Sequence, residues 1–270
     1  MARLPAIFFG HGSPTVAIET SDTTRLWGEV AAKTGKPKAI LAISAHWLTR
    51  GVAVTAMARP KTIHDFGRSL PAPLFDVQYP APGDPALAAR VRDLLAPTPV
   101  HLDQGEWGLD HGTWSVLCKA YPDADVPVVQ LSMDATKPPA WHYEMGRRLA
   151  PLRGENVLIV GSGNIVHNLG VRSWDGREAP PYDWAVRFNA AMRAAIDADA
   201  AQSVIDYAAL GRDAALAVTD PDHFWPLLYV LGARAPAEPV RFFNERFEFK
   251  SLSMLSVIVG PAGADVRAAA

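Results

Sequence analysis

Four short apolar runs punctuate the chain: Ala6–Phe9 (AIFF), Ala39–Ile43 (AILAI), Val126–Leu131 (VPVVQL) and Val157–Val160 (VLIV). Each is bounded by polar or turn-forming residues, and within each the apolarity is continuous rather than alternating. That pattern predicts strands buried on both faces, as in a parallel or mixed sheet covered by helices. Between the runs, Pro85–Leu95, Trp114–Tyr121, Ala140–Leu149 and Trp184–Ala198 carry apolar residues at three- and four-residue spacing, the period of an amphipathic helix. Asp84 followed by Pro85 has the form of an N-cap and a first-turn proline. Near the C-terminus, Arg241–Lys250 and Ser253–Val259 predict two further strands. Strands alternating with helices predict an α/β fold: a single-domain layered sandwich with a central mixed, largely parallel sheet flanked by helices. One domain is expected over residues 1–262, with an Ala-rich tail at 263–270 that should fray. The proline-rich stretch Arg68–Ala86 resists assignment to regular structure and predicts a long binding loop.

Composition narrows the possible functions. Of 270 residues, 49% are hydrophobic and 20% charged, the balance of a soluble globule with enough chain to bury a core unaided by staples. A net charge of −2 lacks the basic footprint of a general nucleic-acid binder. No apolar run reaches the roughly 18 residues of a membrane span. The start, MARLPAIFFGHGSP, reads as a first strand rather than a signal segment. Cys118 is the only cysteine; this excludes an intrachain disulfide and a cysteine-rich zinc motif, and predicts a cytoplasmic setting. It lies on the apolar face of the Trp114–Tyr121 helix, which predicts packing rather than nucleophilic work. Gly161-Ser162-Gly163 begins like a dinucleotide fingerprint, but Val166 stands where the third glycine belongs. Neither a Gly-x-Ser-x-Gly elbow nor a His-Glu-x-x-His motif is present, which removes the best support for a serine hydrolase or a zincin.

The histidines carry the functional signal. His11 follows AIFFG, His46 follows AILAIS, and His167 follows VLIVGSGN. In open α/β sheets, ligands bind outside the carboxyl ends of strands, so three strands deliver imidazoles toward one rim. His223 lies in TDPDHFWPLLYVLG, where Thr219-Asp220-Pro221 predicts a helix start with His223 in its first turn. His111, in GLDHGTWSVL, precedes another helix. A single loop histidine is ordinarily structural, but the set predicts a His-lined metal site, imidazole being the commonest metal-binding side chain. His101 and His142 read as ordinary surface or helix residues. His64, in TIHDFG, either contacts substrate or pairs with Asp65.

Taken in order, GHGSPT, SAHW, TIHDFG, GLDHGTW, Leu131-Ser132-Met133, GSGNIVHNL, DHFWPLLYVLGA and SLSML resemble the class III extradiol ring-cleavage dioxygenases, and most of all the single-chain group named for 4,5-DOPA dioxygenase. The resemblance spans residue 8 to about residue 258. It implies an α/β fold with a central mixed sheet and one divalent metal per subunit, Fe(II) for turnover or Zn(II) as bound. It implies His11, His46 and His223 as metal ligands, and His167 beside the metal as a base or a fourth ligand. His111 is implied as a second acid/base group. The wider family includes carboxylate ligands, which makes Glu245 a competitor for the third position. After TIHDFG this chain continues RSLPAPLF, where relatives tend to have a glycine and an aromatic before the proline; that departure bears on the substrate pocket. The implied reactants are a small aromatic diol and O2, with no nucleic-acid or membrane partner. Histidine suits both proton transfers because its ordinary pKa lies near working pH, with His167 as the base and His111 as the acid. Trp47 and Trp225 either line an aromatic substrate pocket or pack in the core. Asp110, Asp222 and Asn164 either orient the site rings or cap turns. Two other readings use the same histidines: a zinc hydrolase that activates water, and a non-catalytic homologue that binds a metal or ligand.

Overall fold

In the computed structural model, which describes residues 3–173 and 175–261, the apolar runs form the centre of an eight-stranded mixed sheet. The strands are β1 (Ala6–Gly10), β2 (Ala39–Thr49), β3 (Val52–Thr55), β4 (Val100–Asp103), β5 (Val128–Asp134), β6 (Val157–Gly163), β7 (Val240–Phe243), β8 (Phe247–Glu248), β9 (Leu252–Ser253) and β10 (Ser256–Val259). Their order in the sheet is β4-β3-β5-β2-β6-β1-β10-β7, with β8 and β9 forming a separate antiparallel pair. The four strands β5, β2, β6 and β1 run parallel. At one edge β10 and β7 are antiparallel, and at the other β3 is antiparallel to β5 and parallel to β4.

Eight α-helices among the described residues cover the sheet: α1 (Asp22–Thr34), α2 (Pro85–Leu95), α3 (His111–Ala120), α4 (Pro139–Leu149), α5 (Asp183–Asp197), α6 (Ala201–Ile205), α7 (Arg212–Ala217) and α8 (Trp225–Gly232). Successive strand residues point to opposite faces, and the core divides accordingly. Ile7, Phe9, Leu158 and Val160 face Trp27 of α1 and Trp114 of α3. Phe8, Leu41, Ile43 and Ile159 face α2, α4, α5 and α8. Every residue of α8 is buried, so this helix is a core element with no polar face. The α/β layered architecture is the one the apolar runs predict. No helix among the described residues is long and apolar enough to cross a membrane.

The differences from expectation lie at element ends. The third run begins pairing at Val128, not Val126. β2 continues through His46 to Thr49, and its pairing with β5 shifts register between Ile43 and Leu48. Helix α3 begins at His111, ahead of Trp114, because Asp110 accepts the Thr113 N–H and caps it there. Asn244, with φ of +53°, interrupts the Arg241–Lys250 run and separates β7 from β8. His223 lies on a 3-10 turn (Pro221–His223) ahead of α8 rather than in an α-helical first turn. The Arg68–Ala86 stretch contains a 3-10 turn at Ala72–Asp76 and leads into α2, which Asp84 caps at Leu87 N–H as expected. The tail at 263–270 lies outside the described residues.

Candidate metal centre

The chain brings His11, His46 and His223 together from three places. His11 leaves the end of β1, His46 projects from β2, and His223 ends the turn before α8. One ring nitrogen from each lies within 4.8 Å of the others. His11 Nε2 and His46 Nε2 are 3.4 Å apart; two imidazole nitrogens bound tetrahedrally at about 2.0–2.1 Å sit roughly 3.4 Å from each other. The spacing therefore fits one ion.

The hydrogen bonds fix which nitrogens are bare. Ser162 Oγ donates to Gly112 O at 2.5 Å. Its hydrogen is thereby committed, so at 2.8 Å it accepts from His11 Nδ1. His11 Nε2 then carries a lone pair. His223 Nδ1 donates to Asp222 Oδ1 at 3.0 Å, which leaves the His223 Nε2 lone pair free in turn. This is the usual arrangement in which an outer acceptor orients a metal-binding imidazole. Burial raises the Asp222 pKa, but hydrogen bonds from His223 outweigh it and hold the group below the usual carboxylate value, as an anion. Burial, reinforced by the neighbouring histidines, pushes His11 and His46 well below an ordinary imidazole pKa. Both rings are therefore neutral, the form that binds a cation.

Backbone contacts hold these groups in register. The Asn164 N–H donates to His223 O at 2.8 Å, beside Gly163. A Cβ on Gly163 would meet His223 O at 2.2 Å, so only glycine lets β6 approach the turn this closely. Asn164 Nδ2 donates to Ser253 O, tying the same point to β9. Asp222 thus orients a ring, Asp110 caps a helix, and Asn164 anchors backbone.

His167 stacks on His223, with ring centroids 3.5 Å apart and planes 4° from parallel; its ring is not among the converging metal-ligand atoms. Burial, then the nearby His223, lowers its pKa to about 3, with Asp222 opposing. His111 packs against His46 at 3.8 Å between centroids and against Phe66 at 5.4 Å. Its backbone N–H donates to Asp65 Oδ1 at 2.8 Å. A cleft of about 720 Å³ opens over all five histidines, walled by Phe66, Leu70, Arg172, Arg177 and Phe249.

Other expected site residues stand elsewhere. Trp47 follows His46 on a strand and so faces the opposite side; it stacks on Trp107 at 5.5 Å and lines a separate cleft of about 290 Å³. Trp225 is buried at the start of α8 and stacks on His142 at 4.1 Å. His64 lies behind Phe66, among Phe75 and Trp114, with Nε2 3.0 Å from Val77 O. None of these three lines the histidine cleft. Glu245 is half-exposed and paired with Arg193 at 3.0 Å. His142 is a helix residue on α4 but is fully buried, with its Nδ1 3.1 Å from the Tyr229 hydroxyl inside the core. Cys118 donates to Ser115 O, and burial raises its pKa to about 11, as a packing role requires. Ser162, Asp65 and Arg177 were not singled out from the sequence. For Ser162 a signal existed: a polar residue inside an otherwise apolar strand.

A parallel-centred sheet with histidines gathered at its carboxyl rim is able to bind a metal ion, and the family match makes the chain a ring-opening oxidoreductase. Residues 5–260 match the family described as the catalytic LigB subunit of aromatic ring-opening dioxygenase, and the chain belongs to that family. It is 49% identical over 264 residues to the 4,5-DOPA dioxygenase extradiol of Escherichia coli K12, covering 96% of this chain and 95% of that one. The protein of the same name from Beta vulgaris is 40% identical over 235 residues, covering 84% and 85%. The crystal structure of an uncharacterized protein from Escherichia coli K12 superposes with a TM-score of 0.82 at 45% identity, covering 96% of this chain and all of that one.

Proposed function

We propose that this enzyme opens the ring of a small catechol, DOPA-like or simpler, beside its two hydroxyls, inserting both atoms of O2. The convergence of one ring nitrogen from each of three histidines on one point, two of them left bare by their outer hydrogen bonds, carries the reading. His11, His46 and His223 hold one divalent ion, Fe(II) for turnover, with Zn(II) able to occupy the same ligands. When bound, reduced iron supplies Lewis acidity that favours ionised catechol oxygens and an open-shell centre through which a closed-shell diol reacts with O2.

The chain's own groups handle the protons. His167 is neutral at working pH and takes a proton from the incoming diol at its free ring nitrogen. Stacking on His223 fixes the plane of its ring. His111 donates a proton during bond cleavage; Phe66 packs edge-on against its ring at the cleft wall, and Asp65 anchors its backbone N–H. Phe66, Leu70 and Phe249 exclude water from the aromatic face of the substrate. The single thiol and the absence of a crossing helix among the described residues fit a cytoplasmic location.

Anaerobic loading with Fe(II), followed by air and a catechol panel, tests the reading. Equimolar O2 uptake with a yellow ring-opened product is expected. No uptake across the panel with iron occupancy verified sinks it, and ester or amide hydrolysis by the Zn(II) form under argon would replace it with the hydrolase.

A further inference from the structure

Five histidines face the cleft, but the proposed ion needs only three. His46 also belongs to a second converging set: one ligand atom each from His46, Asp65 and His111 lies within 4.8 Å of the others. The set has an independent mark. His111 is over nine-tenths buried, and its Nδ1 has no hydrogen bond. Asp65 Oδ2 lies only 3.0 Å from that nitrogen, yet the two are not aligned as donor and acceptor. The other Asp65 oxygen is already engaged by the His111 backbone N–H. A buried nitrogen and a carboxylate oxygen facing each other without a hydrogen bond is an arrangement a shared cation resolves, since a buried polar atom left unpaired is costly.

We propose that His46, Asp65 and His111 form an alternative seat for a divalent cation, competing with the three-histidine seat for the His46 ring. Two imidazoles and one carboxylate suit Fe(II), Co(II) and Zn(II). The first turn of α3 opposes a bare cation there, and the Asp65 and Asp110 carboxylates offset that effect. His46 completes one seat at a time, so an ion drawn to Asp65 leaves His11 and His223 with an incomplete set. It also occupies His111, the acid in the function proposed above, on which this inference rests. The alternative seat therefore holds a misloaded, inactive form.

Calorimetric titration with Co(II) alone tests the seat in the wild-type chain, His223→Gln and His11→Gln, each with and without Asp65→Asn, after circular dichroism has verified folding. Either glutamine variant that folds suffices. Each is expected to retain one equivalent of cobalt, and adding Asp65→Asn should weaken that uptake by at least about 10-fold. The same Asp65→Asn change should weaken uptake far less when all three histidines are present. Loss of cobalt binding in the glutamine variants, or binding indifferent to Asp65, overturns the alternative seat while leaving the three-histidine site intact. A wild-type chain that takes up no cobalt overturns both.

Discussion

At the scale of single residues, the metal centre depends on hydrogen bonds one layer out from the ligands. Ser162 has one hydrogen, and Gly112 O takes it; its remaining role is to accept from His11 Nδ1. Ser162→Ala removes that acceptor without changing a ligand, and His11 is freed to adopt the other tautomer or rotate. Metal affinity should fall by roughly 10- to 100-fold, read by competition with a chelating dye, while the far-ultraviolet dichroism stays that of the wild type. Asp222→Asn should act on His223 with similar size. Unchanged affinity in both would remove the tautomer argument. The sequence brought out His11, His46 and His167 because histidines after buried strands are conspicuous, and the ordered motifs added His223 to the proposed ligands. It hid Ser162 inside a glycine-rich segment that resembled a failed nucleotide loop. It left Trp47 open between pocket and core: adjacency to His46 in sequence looks like adjacency in the site, but on a strand it sends the side chain to the other face.

At the scale of elements, close backbone contact substitutes for side-chain packing where α4 crosses α8. A Cβ on Gly146 would meet Tyr229 O at 2.3 Å, so the two helices touch at a point only glycine permits. Gly146→Ala should force them apart and cost about 1–3 kcal/mol, lowering the melting temperature by several degrees for a chain of this size. A melting temperature equal to the wild type would show that the crossing is slack. Continuous apolar runs such as Val157–Val160 were legible because a strand covered on both faces has no polar positions to confuse it. Short edge strands were not: β3 (Val52–Thr55) and β4 (Val100–Asp103) have four residues each, too few to show a period. Helix α1 also escaped, since Thr23 and Thr24 hold buried positions that apolar periodicity would not mark. The join between β8 and β9 depends on backbone pairing, which composition does not record.

At the scale of the whole molecule, buried histidines couple stability, pH and metal. His142 has a pKa lowered to about 4 and His167 to about 3, both mainly by burial; His11 and His46 move the same way. An unfolded chain protonates these groups near pH 6.5, whereas the folded chain refuses the protons until far lower. Stability is therefore full above about pH 6.5 and declines as pH falls from there toward 4, with His142 alone contributing ~3 kcal/mol of the loss. His142→Gln should flatten that decline in urea titrations of the metal-free protein by about one proton's slope; an unchanged slope would place the pH dependence elsewhere. The same shifts govern metal uptake. An ordinary three-imidazole site must shed protons to bind Zn(II) below pH 6.5, but His11 and His46 are already neutral there. Of the three ligands, two then contribute no proton, so Zn(II) binding at pH 6 should release no more than about one from the histidines. Calorimetry in buffers of different ionisation enthalpy measures this directly. Release of two or more would mean that the folded rings are protonated, and that burial does not prepare the site for its ion.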